Sequence, residues 1–209
     1  MITIGIPSYD HIKTECVISL LGFAVTTKLD IRYFLNQSLY IDYNRNQLVD
    51  VALQNDSSHL LFIDSDIQFP LDGLDRLLAH DKDIVGGYYN TRRGNCPVRV
   101  KGKCTCPVSS DSSFGTAPTS HAAGCMDGKL VTPEPLPETL FPCHVLPTGF
   151  MLIKLECLKQ LSKPYFATLT HEKGTIGEDV FFCKKSTDAG LELYCDPSFK
   201  LGHVGKHIY

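Results

Sequence analysis

Apolar residues along this chain change their spacing segment by segment, and the changes lay out a series of short strands and helices. Residues 2–6, ITIGI, suit a short buried strand closed by a turn at Pro7-Ser8-Tyr9-Asp10. A helix is predicted over 12–22, and the β-branched stretch VTTKLDIRYFL reads as a strand. Leu48, Val51 and Ala52 follow helical spacing, which predicts an amphipathic helix over 42–55. HLLFID then runs apolar at every position from Leu60 to Ile63. Such a run, without alternation, is what a strand covered on both faces requires.

Leu71, Leu74, Leu77 and Leu78 mark another helix, with Pro70 suited to its first turn, and DIVGGYYN another strand. Strand and helix alternate over the first ninety or so residues, which favours an α/β fold with a parallel sheet and right-handed crossovers. From about residue 92 the pattern dissolves. Residues 94–143 read as an irregular, Cys-rich insertion, and long loops of this kind tend to be functional or mobile. Order returns with VLPTGFMLIKLECLKQL, a strand leading into a helix. GEDVFFCKKSTDAG is a second helix with Gly190 as its stop, LELYCDPSF a last strand and KLGHVGKHIY a tail. No repeat or linker interrupts this order, so residues 1–209 are expected to form a single domain.

Composition narrows the classes. The 209 residues are 43% hydrophobic and 21% charged, as in ordinary globular proteins. A net charge of −3 offers no footprint for duplex nucleic acid. No apolar run approaches the roughly 20 residues that span a bilayer. The N-terminus lacks the basic region of a signal peptide, so a soluble, cytoplasmic protein is expected. The nine cysteines are an odd number with no secretory signal, which argues for reduced thiols. Cys16, Cys157, Cys183 and Cys195 lie in apolar patterns, whereas Cys96, Cys104, Cys106, Cys125 and Cys143 fall in or beside the irregular region. With His121, several of these could ligate zinc, but the spacing is irregular and no Cys-x-x-Cys occurs.

The candidate chemistry starts at Asp64 and Asp66. In open α/β sheets ligands bind outside the carboxyl ends of the strands, and this pair ends the most buried one. In extended backbone, residues i and i+2 point the same way, so both carboxylates are expected to converge on one target. A hard divalent cation, Mn²⁺ or Mg²⁺, would compensate them. The plainer alternative is that Asp66 caps the next helix and Asp64 makes a turn.

IPSYD, YNRNQLVDVAL, HLLFIDSDIQFP, PTGFMLI, GEDVFFC and CDPSFKLGHVG occur in the order seen in GT-A glycosyltransferases. The chain most resembles the family-2-type inverting enzymes, including small ones of bacteria and viruses, over residues 1–93 and 145–205. The resemblance implies a GT-A, Rossmann-like fold: a mostly parallel sheet flanked by helices, plus the long irregular loop region. It implies a metal-dependent transfer of sugar from a nucleotide-sugar donor, UDP-sugar before GDP-sugar, to a glycan or other hydroxyl acceptor, with inversion. Pro7, Ser8, Tyr9 and Asp10 would lie against base and ribose, with Ser65 also at the donor. Arg45 would face the nucleotide, unless it is a solvated helix charge. Asp66 would ligate the metal and Asp64 the ribose or a metal-bound water. His203 would complete the metal set of Asp64, Asp66 and His203, with His207 as its rival. Asp179 would be the general base. Glu178 would position the acceptor or, in the capping box TIGE, reach back to the helix start. Thr148-Gly149-Phe150 would line the acceptor side. Arg92 and Arg93 would contact diphosphate or acceptor, or form a solvated pair.

Residues 94–143 have no counterpart in that family and are expected to hold the acceptor loop. The early stop after His203 suits a catalytic domain of a longer polypeptide. The competing readings are a metal-dependent nucleotidyltransferase, disfavoured by the lack of a Gly-rich phosphate loop, and a non-catalytic nucleotide-sugar or Cys-rich binding module.

Overall fold

A computed structural model describes residues 1–91, 95–101, 129–172, 174–199 and 201–205. The positions Arg92, Arg93, Cys104, Cys106, His121, Cys125 and His207 lie outside the described residues.

The chain opens with β1 (Ile2–Ser8), α1 (Thr14–Thr26), β2 (Ile31–Gln37) and α2 (Ile41–Gln54). It continues through β3 (His59–Ile63), β4 (Ile67–Gln68), α3 (Gly73–Ala79) and β5 (Ile84–Gly87). Two short strands, β6 (Val100–Lys101) and β7 (Leu130–Val131), pair with each other and are followed by β8 (Phe141–Cys143). The rest is β9 (Phe150–Lys154), α4 (Leu155–Lys159), the hairpin of β10 (Leu169–His171) and β11 (Gly174–Ile176), α5 (Glu178–Asp188), β12 (Leu193–Asp196) and β13 (Gly202–His203).

Seven strands form the central sheet in the order β2-β1-β3-β9-β5-β12-β8. All but β9 and β8 run the same way, so the sheet is mostly parallel in direction. The reversed strand β9 sits between β3 and β5, a feature the early strand-helix alternation could not reveal because β9 comes sixty residues or more after both.

The two faces of this sheet explain the unbroken apolar run of β3. Leu60 and Phe62 pack on one face with Leu48, Val49 and Ala52 of α2 and Phe182 and Cys183 of α5. Leu61 and Ile63 pack on the other with Cys16 and Phe23 of α1 and Leu74 and Leu77 of α3. β9 divides its side chains the same way, Met151 and Ile153 to one face, Phe150 and Leu152 to the other. Alternate side chains leave opposite faces, so a central strand with helices above and below must be apolar throughout.

Several expected boundaries move. β1 continues through Pro7 and Ser8, which pair in register with Asn36 and Gln37 instead of turning. Pro70 precedes α3 and accepts the Gly73 N–H in a turn, so it is not in the first helical turn. The segment 94–143 is not wholly irregular: β8 is an edge strand of the central sheet against β12, and it buries Cys143 in the core. The predicted tail is a strand as well, because β13 pairs antiparallel with β4.

Gly86 lies where β5 crosses β9 most tightly. A Cβ there would stand 2.5 Å from the Phe150 carbonyl oxygen and 3.3 Å from the Met151 Cα, both backbone. Backbone in mid-sheet cannot step aside without breaking the ladder. Gly86→Ala is therefore expected to lower stability by about 1–3 kcal/mol in urea unfolding, with the slope of the transition unchanged.

Candidate active site

The carboxyl ends of β1, β3 and β5 and the start of β9 meet at one end of the sheet. β3 ends at Ile63, and Asp64-Ser65-Asp66-Ile67 forms a turn in which the Ile67 N–H donates to the Asp64 carbonyl at 3.1 Å. The extended-chain rule therefore does not apply to the aspartates. Asp64 pairs with Arg45, whereas Asp66 stands beside His203. Instead of sharing one protein partner, the two carboxylates share the lining of one cleft. Asp66 does not cap α3 either; its carbonyl accepts the Val204 N–H and so joins β13 to the turn.

Arg45 sits on α2 and is only 2% exposed. Its Nη2 donates to Asp64 Oδ1 at 2.8 Å, and its Nε faces Glu178 Oε1 at 3.4 Å. The guanidinium also lies over the rings of Phe62 and Phe166, 5.3 and 5.9 Å from their centroids. It is not a solvated helix charge, and it is not in the lining of the two clefts described below. The neighbouring asparagines hold it in place. Asn44 donates to the Ser8 and Ser38 carbonyls, and Asn46 accepts from the Tyr165 N–H and donates to the Phe166 carbonyl. Neither role was legible in the YNRN motif, because each partner lies far off in sequence or in an irregular segment.

Glu178 does not form the capping box. The N-cap of α5 is Gly177, without a side-chain cap, and Glu178 is turned to Arg45. Burial pushes its carboxyl above the ordinary value; Arg45 opposes that shift and the Asp179 charge adds to it. Asp179 instead places Oδ1 on the Val180 N–H at 2.7 Å, leaving Oδ2 uncommitted among the described residues.

Gly149 has a strict reason to be glycine. A Cβ there would stand 2.3 Å from the Tyr89 hydroxyl and 2.8 Å from Asp64 Oδ2, while its N–H donates to Tyr89 Oη and its carbonyl accepts the Asp64 N–H. Tyr89 went unassigned in the sequence; burial, with the Asp64 charge, holds its hydroxyl well above the usual tyrosine range, so it stays neutral. Thr148 and Phe150, expected on the acceptor side, are buried and are not in the lining of the two clefts described below.

Two clefts flank the Asp64–Ile67 turn. The smaller, about 480 Å³, is lined by Pro7, Tyr9, Asp10, His11, Lys13, Ile41, Asp64, Ser65 and Asp66. It gathers every expected nucleotide-side residue except Arg45 and Ser8, whose hydroxyl turns inward to the His11 carbonyl. The larger, about 770 Å³, is lined by Asp179, His203, Arg99 and Val145, among others. Asp66 and His203 thus sit on opposite sides of the divide and meet each other across it, Oδ2 to Nε2, at 3.2 Å.

That pair constrains the charge between them. His203 Nδ1 faces the Asn90 carbonyl at 3.0 Å, and a carbonyl only accepts, so Nδ1 carries a proton. Nε2, the other ring nitrogen, faces the Asp66 carboxylate. A proton on Nε2 or a bound metal ion would each reconcile the two groups, and a carboxylate with an imidazole is a donor set that Mn²⁺ or Mg²⁺ can use. No group of three His, Cys, Asp or Glu side chains able to hold an ion occurs among the described residues. Asp64, committed to Arg45, is not brought to the pair. Asp66 and His203 are thus the two described side chains that could hold an ion here. The six described cysteines, Cys16, Cys96, Cys143, Cys157, Cys183 and Cys195, are free thiols.

Replacing Arg45 by Met leaves Asp64 and Glu178 partly buried without their cation. The expected loss is about 3–5 kcal/mol at neutral pH. A carboxyl whose folded value is raised contributes its stability at low pH and loses it as pH rises through that value, so the deficit should shrink on acidification as Glu178 binds a proton. Urea unfolding across that range, with Glu178→Gln added to recover part of the loss, checks both statements.

No protein-family model and no curated protein matches the chain. Solved structures do. The crystal structure of A197 from STIV aligns over 98% of this chain and 85% of its own, at 19% identity and a TM-score of 0.61. That of S. aureus TarS 1-349 in complex with UDP-GlcNAc aligns over 94% of this chain and 56% of its own, at 15% identity and a TM-score of 0.49. No helix among the described residues is long and apolar enough to cross a membrane. The fold is thus a mixed α/β, GT-A-like Rossmann fold with a seven-stranded, mostly parallel central sheet flanked by helices.

Proposed function

We propose that the protein is a metal-dependent, inverting glycosyltransferase that moves a sugar from a nucleotide-sugar donor, UDP-sugar before GDP-sugar, to a hydroxyl acceptor. The observation that carries this reading is the pair of clefts separated by Asp66 and His203. One contains the residues expected around a nucleotide, and the other contains Asp179.

In the smaller cleft Tyr9, 61% exposed, offers a ring face to a base, and Asp10 and Ser65 offer acceptors and a hydroxyl to the ribose. Asp66 and His203 would hold Mn²⁺ or Mg²⁺, which when bound supplies positive charge for the departing diphosphate. The acceptor hydroxyl enters from the larger cleft. As its oxygen bonds to the anomeric carbon, its proton passes to Asp179 Oδ2, and the bond from that carbon to the diphosphate oxygen breaks with its electron pair going to the diphosphate. Attack opposite the leaving group inverts the centre. Glu178 is already held by Arg45, so Asp179 is the carboxylate left for this task.

A ligand that binds only the folded state raises the melting temperature by mass action. UDP with Mn²⁺ is expected to raise it, chelator to cut the rise, and Asp66→Ala to remove the metal-dependent part. Asp179→Asn should keep that shift while lowering UDP release from UDP-sugars by about 10²–10⁴-fold. If neither UDP nor GDP shifts the melting temperature, the reading fails.

A further inference from the structure

The nucleotide-side cleft needs positive charge to hold a diphosphate; of the arginines expected near the donor, Arg45 is buried and paired elsewhere, and Arg92 and Arg93 lie outside the described residues. Among the described residues that line the cleft, only Lys13 carries a permanent positive charge. Its surroundings are acidic, with Asp10, Asp64 and Asp66 in the same lining. Each of these carboxylates has another partner: Asp10 pairs with His11, Asp64 with Arg45 and Asp66 with His203. The Lys13 ammonium makes no ion pair or hydrogen bond among the described residues.

The backbone of Lys13 is the opposite case. Its N–H donates to the Ser65 carbonyl at 2.8 Å, and its carbonyl accepts the Val17 N–H at 3.0 Å as α1 begins. The main chain is tied at once to the aspartate turn and to a helix, which fixes the origin of the side chain at the cleft wall. The ammonium shares the cleft with three carboxylates that each have a nearer partner, and it is so placed to meet an anion from outside. Ammonium–phosphate hydrogen bonds are among the stronger ones available to a protein, and lysine meets phosphate as a point charge.

We infer that Lys13 is a binding residue for the diphosphate of a nucleoside diphosphate or its sugar ester, and that it supplies a share of donor affinity independent of any divalent ion. This rests on the donor reading of the smaller cleft. In it the protein brings two cations to the diphosphate from different elements, Lys13 from the start of α1 and the ion at Asp66 and His203. Lys13 acts on the bound donor in the ground state, so its loss should appear in affinity first.

The test is calorimetric titration of UDP and of uridine into wild type, Lys13→Met and Lys13→Arg, each with Mn²⁺ and with chelator. Lys13→Met should weaken UDP about tenfold in both buffers, Lys13→Arg should recover most of that, and uridine should bind all three alike. His203→Ala should instead remove only the gain due to Mn²⁺. Because the main-chain bonds of Lys13 do not need its side chain, the melting temperature of unliganded Lys13→Met should match wild type. UDP binding by Lys13→Met equal to that of wild type in both buffers overturns the inference and leaves the donor reading standing. An equal loss of uridine and UDP also overturns it, since the effect would then not lie at the phosphates. Wild type that binds neither UDP nor GDP overturns both readings.

Discussion

One buried guanidinium holds the functional end of this protein together. Arg45 reaches from α2 to Asp64 at the end of β3 and to Glu178 at the start of α5, and it lies over Phe62 and Phe166 as it does so. Its position is enforced, because a charged group so buried is tolerable only where opposite charges meet it. The two carboxylates are held in turn, so the end of the central strand and the beginning of α5 cannot shift independently. Nη1 has no hydrogen-bond partner among the described residues, which makes the pairing of the other two nitrogens all the more constraining.

From that constraint the layout of the site follows. With Asp64 drawn inward, the turn that follows β3 presents Asp66 alone toward the divide. β13 pairs with β4 and brings His203 to it from the far end of the chain. Gly149 and Tyr89 close the space behind Asp64, with contacts too short to admit any side chain at position 149. Asp179 is left on the other side of the divide, one residue past the glutamate that Arg45 holds. The two carboxylates of the Glu-Asp pair are thus separated in role by their partners, one fixed by a cation and the other open toward a cleft.

Charge is distributed with similar economy. The chain is net negative, and the smaller cleft has three aspartates in its lining, each beside an arginine or a histidine. Among the described lining residues Lys13 is the one lysine or arginine, and at such short range its charge weighs on whatever the cleft takes in.

The chain's own pattern determined the elements that burial alone controls. The unbroken run Leu60–Ile63 could only be a strand covered on both faces, and the helices over Ile41–Gln54 and Glu178–Asp188 follow from periodicity and from Gly190 as a stop. Pro7, Tyr9, Asp10, Asp64 and Ser65, which line the smaller cleft, lie at or just past strand ends, where an open α/β sheet places its ligands. Tertiary structure decided what depends on partners distant in sequence. The insertion of β9 between β3 and β5, the recruitment of β8 and β13, and the pairing of Arg45 with Glu178 each join segments fifty or more residues apart, and in the case of Arg45 and Glu178 more than a hundred. The divergence of Asp64 and Asp66 belongs here too, since a two-residue spacing fixes direction only while the backbone stays extended, and a hydrogen bond from Ile67 bent it. Local pattern records which face of an element is buried, but which charge meets which is settled only when the whole sheet has assembled.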